Sequence, residues 1–161
     1  MPFLTSTWAE TVVVATGDTP LLRAATIASL ADGHDASGAA ATVLTAEFDD
    51  PTGYGRIVRD ASVMLAAIVE EKDADASVRA IREINSGIFA FDLDALASAL
   101  AAVTDTNAQR EYYLTDTIAI LKQRGRPVAA VRVADAAEVM GINTPGQLAA
   151  ADAALRARAR E

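Results

Sequence analysis

The 161 residues include no cysteine, a single histidine at position 34, and few aromatic side chains, 5% in all. Without a thiol, disulfide scaffolds, thiolate zinc sites, iron–sulfur clusters and cysteine nucleophiles are excluded. One imidazole rules out metal centres that need several, and leaves His34 as the sole candidate base for a Ser-His-Asp triad. Positive charge is also scarce: 14 Lys and Arg stand against 22 Asp and Glu, a net charge of −8. That balance disfavours nucleic acid and anionic membrane surfaces as partners, because both attract proteins through phosphate charge. No apolar run approaches the roughly 18 residues of a membrane span. Residues 1–10 carry no basic segment ahead of their short apolar stretch, which argues against a secretory signal. The expectation is a soluble cytoplasmic protein whose length suits one ordinary domain.

What is present alternates between strand and helix signals. Thr11 to Thr16 (TVVVAT) is a β-branched run of the kind that fills a strand covered on both faces. Thr19-Pro20 then reads as a helix start, threonine as cap and proline first, with Asp32-Gly33 as its end. Ala41 to Phe48 alternates as a strand. The Asp50-Pro51-Thr52-Gly53 turn leads into two short strands, Gly55 to Arg59 and Ala66 to Glu70, expected as a hairpin. Glu71 to Ser77 reads as a solvated turn. Ile84 to Phe91 is a strand whose internal Gly87 marks a bulge or a close approach. A helix over Asp92 to Val103, another opening at Thr106-Asn107 and running through Tyr112 and Tyr113 to Gly125, and a strand over Val128 to Val133 follow. Thr144-Pro145 repeats the cap-and-proline device ahead of a final helix. The interleaving predicts an α/β fold with a mostly parallel mixed sheet flanked by helices.

Two polar residues stand out by position. Asp18 follows a strand and precedes one helix start, and Asn143 precedes another. In open α/β sheets ligands gather where strands end and helices begin. A carboxylate and an amide oxygen there suit one hard cation, and Mg²⁺ would complete its octahedron with water and substrate phosphates. Each position is equally ordinary as a turn or a cap, so both readings stand at this level.

Six segments carry a more specific signal: GDTPLL (17–22), DPTGYGRIVR (50–59), AIVEEKDA (67–74), EINSGIFAFD (83–92), NAQREYYLTD (107–116) and GIN (141–143). In this order and spacing the chain resembles the uridyltransferase domain of the bacterial bifunctional N-acetylglucosamine-1-phosphate uridyltransferase and glucosamine-1-phosphate acetyltransferase family. The resemblance covers nearly all of Glu10 to Leu148 and implies a Rossmann-like nucleotide-diphospho-sugar transferase fold. It also implies Mg²⁺-assisted joining of UTP and N-acetylglucosamine 1-phosphate, giving UDP-N-acetylglucosamine and pyrophosphate for cell-wall peptidoglycan precursors. By resemblance Asp18 and Asn143 correspond to the metal-binding residues. Gly55 corresponds to the backbone approached by the sugar's N-acetyl region, Glu70 and Asn85 to sugar-binding residues, and Tyr113 and Thr115 to the sugar and phosphate end. No role is carried over for Glu71, Lys72 or Asp73. His34 is rejected as a base: it reads as a loop residue, and an already ionised sugar phosphate can attack without one.

Parts of the family pattern do not occur in these residues: the L-x-A-G-x-G-T-R-M loop with its following Pro-Lys pair, the uracil-reading glutamine and Gly-Thr pair, and the hexapeptide-repeat β-helix. The expectation is therefore the C-terminal two thirds of a uridyltransferase domain, without its nucleotide-binding part and without the acetyltransferase domain. The Thr11 to Thr16 strand would have one open apolar edge, predicting marginal stability or pairing with a second copy or a complementing chain. A non-catalytic sugar-phosphate-binding module and an inactive truncated product are the alternatives.

Overall fold

The computed structural model describes residues 9–106 and 110–160. The elements are β1 (Thr11–Val14), α1 (Ala24–Ser37), β2 (Ala41–Glu47), β3 (Arg56–Arg59), β4 (Leu65–Val69), α2 (Ala76–Arg79), β5 (Glu83–Asp92), α3 (Leu93–Leu100), α4 (Asp116–Gln123), β6 (Val128–Arg132) and α5 (Pro145–Arg158). A short 3-10 turn, Ala136–Val139, precedes α5. Among the described residues six strands form one sheet in the order β4-β3-β5-β2-β6, with β1 added on β5. The α/β class and the helix-flanked mixed sheet match expectation; the mostly parallel pairing does not. Among the described pairings only β2–β6 is parallel, and β1–β5, β2–β5, β3–β4 and β3–β5 are antiparallel. An apolar run signals burial on both faces but says nothing of strand direction, which the connections decide.

β5 is the centre of the arrangement. Its apolar residues alternate between two cores. Phe89 and Phe91 point to a layer with Val43, Ile57, Leu96, Ile118 and Leu121, under α3 and α4. Ile84, Ile88 and Ala90 point to the other, with Leu30 of α1, Leu44 and Val139. One edge of β5 is taken by β2. Along the opposite edge β3 meets it at Ile84 and β1 at Phe89–Asp92, so the stretch between them faces neither strand. Gly87 lies in that gap with φ +77°, beside a register shift of β2 between Val43 and Thr45. β1 is shorter than expected, its four residues are half-buried, and β5 is its one strand partner among the described residues.

Helix α1 departs most from expectation. It begins at Ala24, not at Pro20, because the Thr19 hydroxyl bonds back to the Thr16 carbonyl while a distant carboxylate serves the helix start. Glu138, almost fully buried, accepts from the Arg23 N–H and the Thr26 hydroxyl. These are donors that a local cap would otherwise satisfy. Nor does the helix stop at Gly33. A Cβ there would lie 2.9 Å from Val131 Cγ2, so glycine lets α1 settle against β6. The helix ends at Gly38 with φ +59°. His34 is thus a buried helix residue, not a loop residue, and its Nδ1 lies 2.9 Å from the Thr42 hydroxyl.

Helix α4 likewise starts late, at Asp116. Tyr112 and Tyr113 precede it outside any helix or strand, and the expected opening at Asn107 lies outside the described residues. The Thr144-Pro145 expectation matches: Thr144 caps α5 by accepting from the Gln147 N–H. None of the helices among the described residues is long and apolar enough to cross a membrane.

Candidate functional site

The gap along β5 opens into a cavity of about 360 Å³ lined by Val14, Thr16, Glu70, Asn85, Gly87, Phe89 and the stretch 112–115. Four predicted residues, Glu70, Asn85, Tyr113 and Thr115, therefore meet in one place although they come from three separate segments. Each arrives there for a local reason. Glu70 follows β4 directly, and the antiparallel register that sets Arg56 opposite Val69 brings its carboxylate over Gly55. A Cβ on Gly55 would lie 3.1 and 3.2 Å from the two carboxylate oxygens, so only glycine leaves that approach free. Asn85 is buried at the start of the gap. Its backbone N–H donates to the Gly55 carbonyl at 2.8 Å, and its side-chain oxygen accepts from the Gly87 N–H at 3.0 Å. The side-chain bond pins the bulge and leaves the amide NH₂ for a ligand.

Thr115 occupies the residue before α4, yet its hydroxyl does not cap the helix; it bonds to Glu70 instead. Burial pushes the Glu70 carboxyl above the ordinary glutamate range; the Thr115 hydroxyl opposes this, and repulsion from Asp73 and Asp116 adds to it. Asp116 is also shifted up, by burial and then by Asp73. The cavity thus holds a carboxylate whose charge is poorly solvated, ready to accept hydrogen bonds from neutral hydroxyls.

Behind Glu70 sits an ion pair absent from the sequence-based expectations. Arg56 is 2% exposed, and its Nη2 lies 2.6 Å from Glu71 Oε2. Glu71 Oε2 lacks hydrogen-bond alignment, so the attraction is chiefly coulombic. Glu71 is therefore not a solvated residue as expected, but the counter-charge that allows Arg56 to lie inside the hairpin.

Asp18 and Asn143, 125 positions apart in the chain, are brought together by their backbones: the Ile142 N–H donates to the Asp18 carbonyl at 2.9 Å. Both side chains crowd the α-carbon of buried Gly141. A Cβ there would lie 3.0 Å from Asp18 Oδ2 and 3.5 Å from Asn143 Nδ2. Half a turn of the Asn143 amide presents Oδ1 at the same place. One carboxylate and one amide oxygen converging on a point fit a hard cation that keeps water and phosphate ligands. The described residues hold no cluster of three or more His, Cys, Asp or Glu able to cage a metal by themselves. His34 takes no part, being buried against Thr42 under α1.

Three lining or linking residues were missed. Thr16 ends an apolar run and looks like more of the same strand. Tyr112, 72% exposed at the cavity mouth, looks like one more helical core aromatic. Tyr54 sits inside a glycine-rich turn, and its hydroxyl accepts from the Gly141 N–H across 87 positions. No local pattern signals a contact of that span.

The same chain is similar to known proteins along most of its length. The "Bifunctional protein GlmU" of Heliobacterium modesticaldum is 56% identical over 151 residues, 94% of this chain and 33% of that protein. Its counterpart in Streptomyces avermitilis is 58% identical over 142 residues, 88% of this chain and 30% of that protein. The chain spans about a third of the length of these curated relatives. Among solved structures, a CMP:2-keto-3-deoxy-manno-octonic acid synthetase complexed with CTP superposes with a TM-score of 0.64 at 16% identity, over 98% of this chain and 66% of that one. A putative glucose-1-phosphate thymidylyltransferase from Bacillus anthracis gives 0.59 at 17% identity, over 91% and 52%. At such identities the superpositions carry the fold, that of the nucleotide-diphospho-sugar transferases. The family model for nucleotidyl transferases matches residues 4–137, and the chain belongs to that family.

Proposed function

We propose that the chain carries the sugar-phosphate and cation side of a uridyltransferase site, which joins N-acetylglucosamine 1-phosphate to UTP with release of pyrophosphate. The observation that supports this reading most is the meeting of Glu70, Asn85, Tyr113 and Thr115 on one cavity, with Gly55 cleared for close approach to Glu70. The Glu70 carboxylate accepts from sugar hydroxyls, and the Asn85 amide donates to the sugar. The Gly55 backbone, against which the Glu70 carboxylate packs, meets the sugar's N-acetyl region, and Tyr113 and Thr115 close the end nearest the phosphate.

In the reaction an ionised oxygen of the sugar phosphate forms a bond to the α-phosphorus of UTP, and the bond from that phosphorus to the pyrophosphate oxygen breaks. The attacking oxygen carries no proton, so no base is needed, and the residues act by orientation and charge placement. Asp18 and Asn143 are the residues that would hold Mg²⁺. Bound there, it would supply neutralisation of phosphate charge in the transition state.

The 161 residues include no glycine-rich L-x-A-G-x-G-T-R-M loop to cradle the triphosphate. Loss of even one preorganised transition-state donor lowers turnover by about 10²- to 10³-fold. The test is pyrophosphate release by the 161-residue chain supplied with Mg²⁺, UTP and the sugar phosphate. The reading predicts slow release that requires all three. Release that ignores the sugar phosphate contradicts it, and saturable sugar-phosphate binding with no release at all favours the non-catalytic module instead.

A further inference from the structure

We infer that Tyr54 is a positioning residue that ties the sugar-binding loop to the cation-binding loop through its hydroxyl bond to the Gly141 backbone. The inference rests on the assignment of Asp18 and Asn143 to a cation proposed above. Three observations carry it. The Tyr54 hydroxyl accepts from the Gly141 N–H at 3.2 Å. Gly141 is the point over which Asp18 Oδ2 and the Asn143 amide converge, so its placement sets the spacing of the two donors. Tyr54 is also the chain neighbour of Gly55, whose α-carbon faces Glu70 and whose carbonyl accepts from the Asn85 N–H.

The tyrosine is held rigidly at its own end. The Pro51–Tyr54 turn closes through the Tyr54 N–H to the Pro51 carbonyl at 3.2 Å, with Gly53 at φ +87°. Asp50 secures the same turn by accepting from the Thr52 N–H. The ring stands edge-on to Phe48, with centroids 5.0 Å apart and an interplanar angle of 82°. A fixed ring with its hydroxyl on a loop amide acts as a strut. On the other side of that loop the next residue, Ile142, donates to the Asp18 carbonyl at 2.9 Å. The two bonds tie the 141–143 segment to the sugar loop on one side and to the turn after β1 on the other, and the Asn143 N–H donates to Gln147 Oε1 in α5. Removing the Tyr54 hydroxyl frees the first of these three anchors while keeping the residues of the cavity wall around Glu70 and Asn85.

Tyr54→Phe keeps the ring and its contact with Phe48, and Tyr54→Leu keeps only apolar bulk. Mn²⁺, as a paramagnetic probe of the Asp18–Asn143 pair, is titrated into each protein by electron paramagnetic resonance, and metal-free binding of N-acetylglucosamine 1-phosphate is measured beside it. The expected result is Mn²⁺ affinity about two- to tenfold weaker in both variants. Amide hydrogen exchange at Gly141 should be faster in both, and metal-free sugar-phosphate affinity should stay at the parent value. Parent-like Mn²⁺ affinity in Tyr54→Phe overturns the inference while leaving the cation assignment standing. An equal loss of metal-free sugar-phosphate binding also overturns it, since the bond would then be general scaffolding. Failure of the parent itself to bind Mn²⁺ overturns the cation assignment and this inference with it.

Discussion

Gly55 and Glu70 face each other at the open end of the β3–β4 hairpin, so closely that a Cβ on Gly55 would stand 3.1 Å from one carboxylate oxygen and 3.2 Å from the other. Contacts of that length force a neighbour to give by a few tenths of an ångström. The part that can give is the Glu70 carboxylate, which would be drawn off its Thr115 hydrogen bond. Gly55→Ala is therefore expected to fold with a nearly unchanged melting temperature and to bind N-acetylglucosamine 1-phosphate about tenfold more weakly, a loss near 1.4 kcal/mol. Calorimetric titration together with a thermal melt reads both.

The strained charge at Glu70 gives a pH signature. Burial raises its carboxyl pKa in the folded protein, so ionisation of Glu70 opposes folding. The stability contributed by the neutral form is fully present below the unfolded glutamate pKa of about 4.3 and is lost as pH rises through the folded value. Glu70→Gln removes that loss while keeping an oxygen for Thr115. Its melting temperature should exceed the parent's at pH 7, and the difference should close as the buffer is brought to about pH 4. Sugar-phosphate affinity should move the other way. In the parent it falls on acidification through the raised pKa, and in Glu70→Gln it is weak and flat with pH. A stabilising change that costs binding is the mark of a residue kept for function.

Glu138 makes a prediction about folding alone. It supplies from 115 positions away what the start of α1 lacks locally, accepting from the Arg23 N–H at 3.1 Å and from the Thr26 hydroxyl. Its carboxylate also lies 3.6 Å from Arg23 Nε, but that guanidinium is half exposed and screened. Glu138→Ala takes the acceptor away from the Arg23 N–H and the Thr26 hydroxyl and should destabilise the chain by about 1–3 kcal/mol. In a domain of this size that is a fall in melting temperature of several degrees. Denaturant unfolding checks it, and Glu138→Gln should recover part of the loss.

The same residue shows where reading the sequence stops. Strands β2, β3, β5 and β6, the hairpin, the Gly87 irregularity and the α5 start were legible because their signals are local: alternation, a turn, a glycine inside a run, a threonine before a proline. The start of α1 was not. Its cap comes from Glu138, so the Thr19-Pro20 signal pointed to a turn that never becomes helix. Glu71 looked solvated for the same reason, since nothing near it shows that Arg56 would be buried beneath it. Strand direction was also out of reach, and among the described residues the sheet has one parallel pairing where most were expected. The candidate site residues were named without any sign of where they would lie in space. Glu70, Asn85, Tyr113 and Thr115 do share one cavity, and Asp18 and Asn143 do share one corner. The motifs carried those residues as a set; Thr16, Tyr54 and Tyr112 lay outside that set and became visible only in three dimensions.

A cation held by Asp18 and Asn143, as proposed, and a sugar phosphate in the Glu70 cavity are expected to be thermodynamically linked through the phosphate charge. The most direct test is calorimetric titration of N-acetylglucosamine 1-phosphate into the parent chain and into Asp18→Ala, each with and without Mg²⁺. The expected result is saturable binding to the parent that Mg²⁺ strengthens about tenfold or more, and metal-free binding to Asp18→Ala that Mg²⁺ leaves unchanged. No binding to the parent, or the same Mg²⁺ enhancement in both proteins, would contradict it.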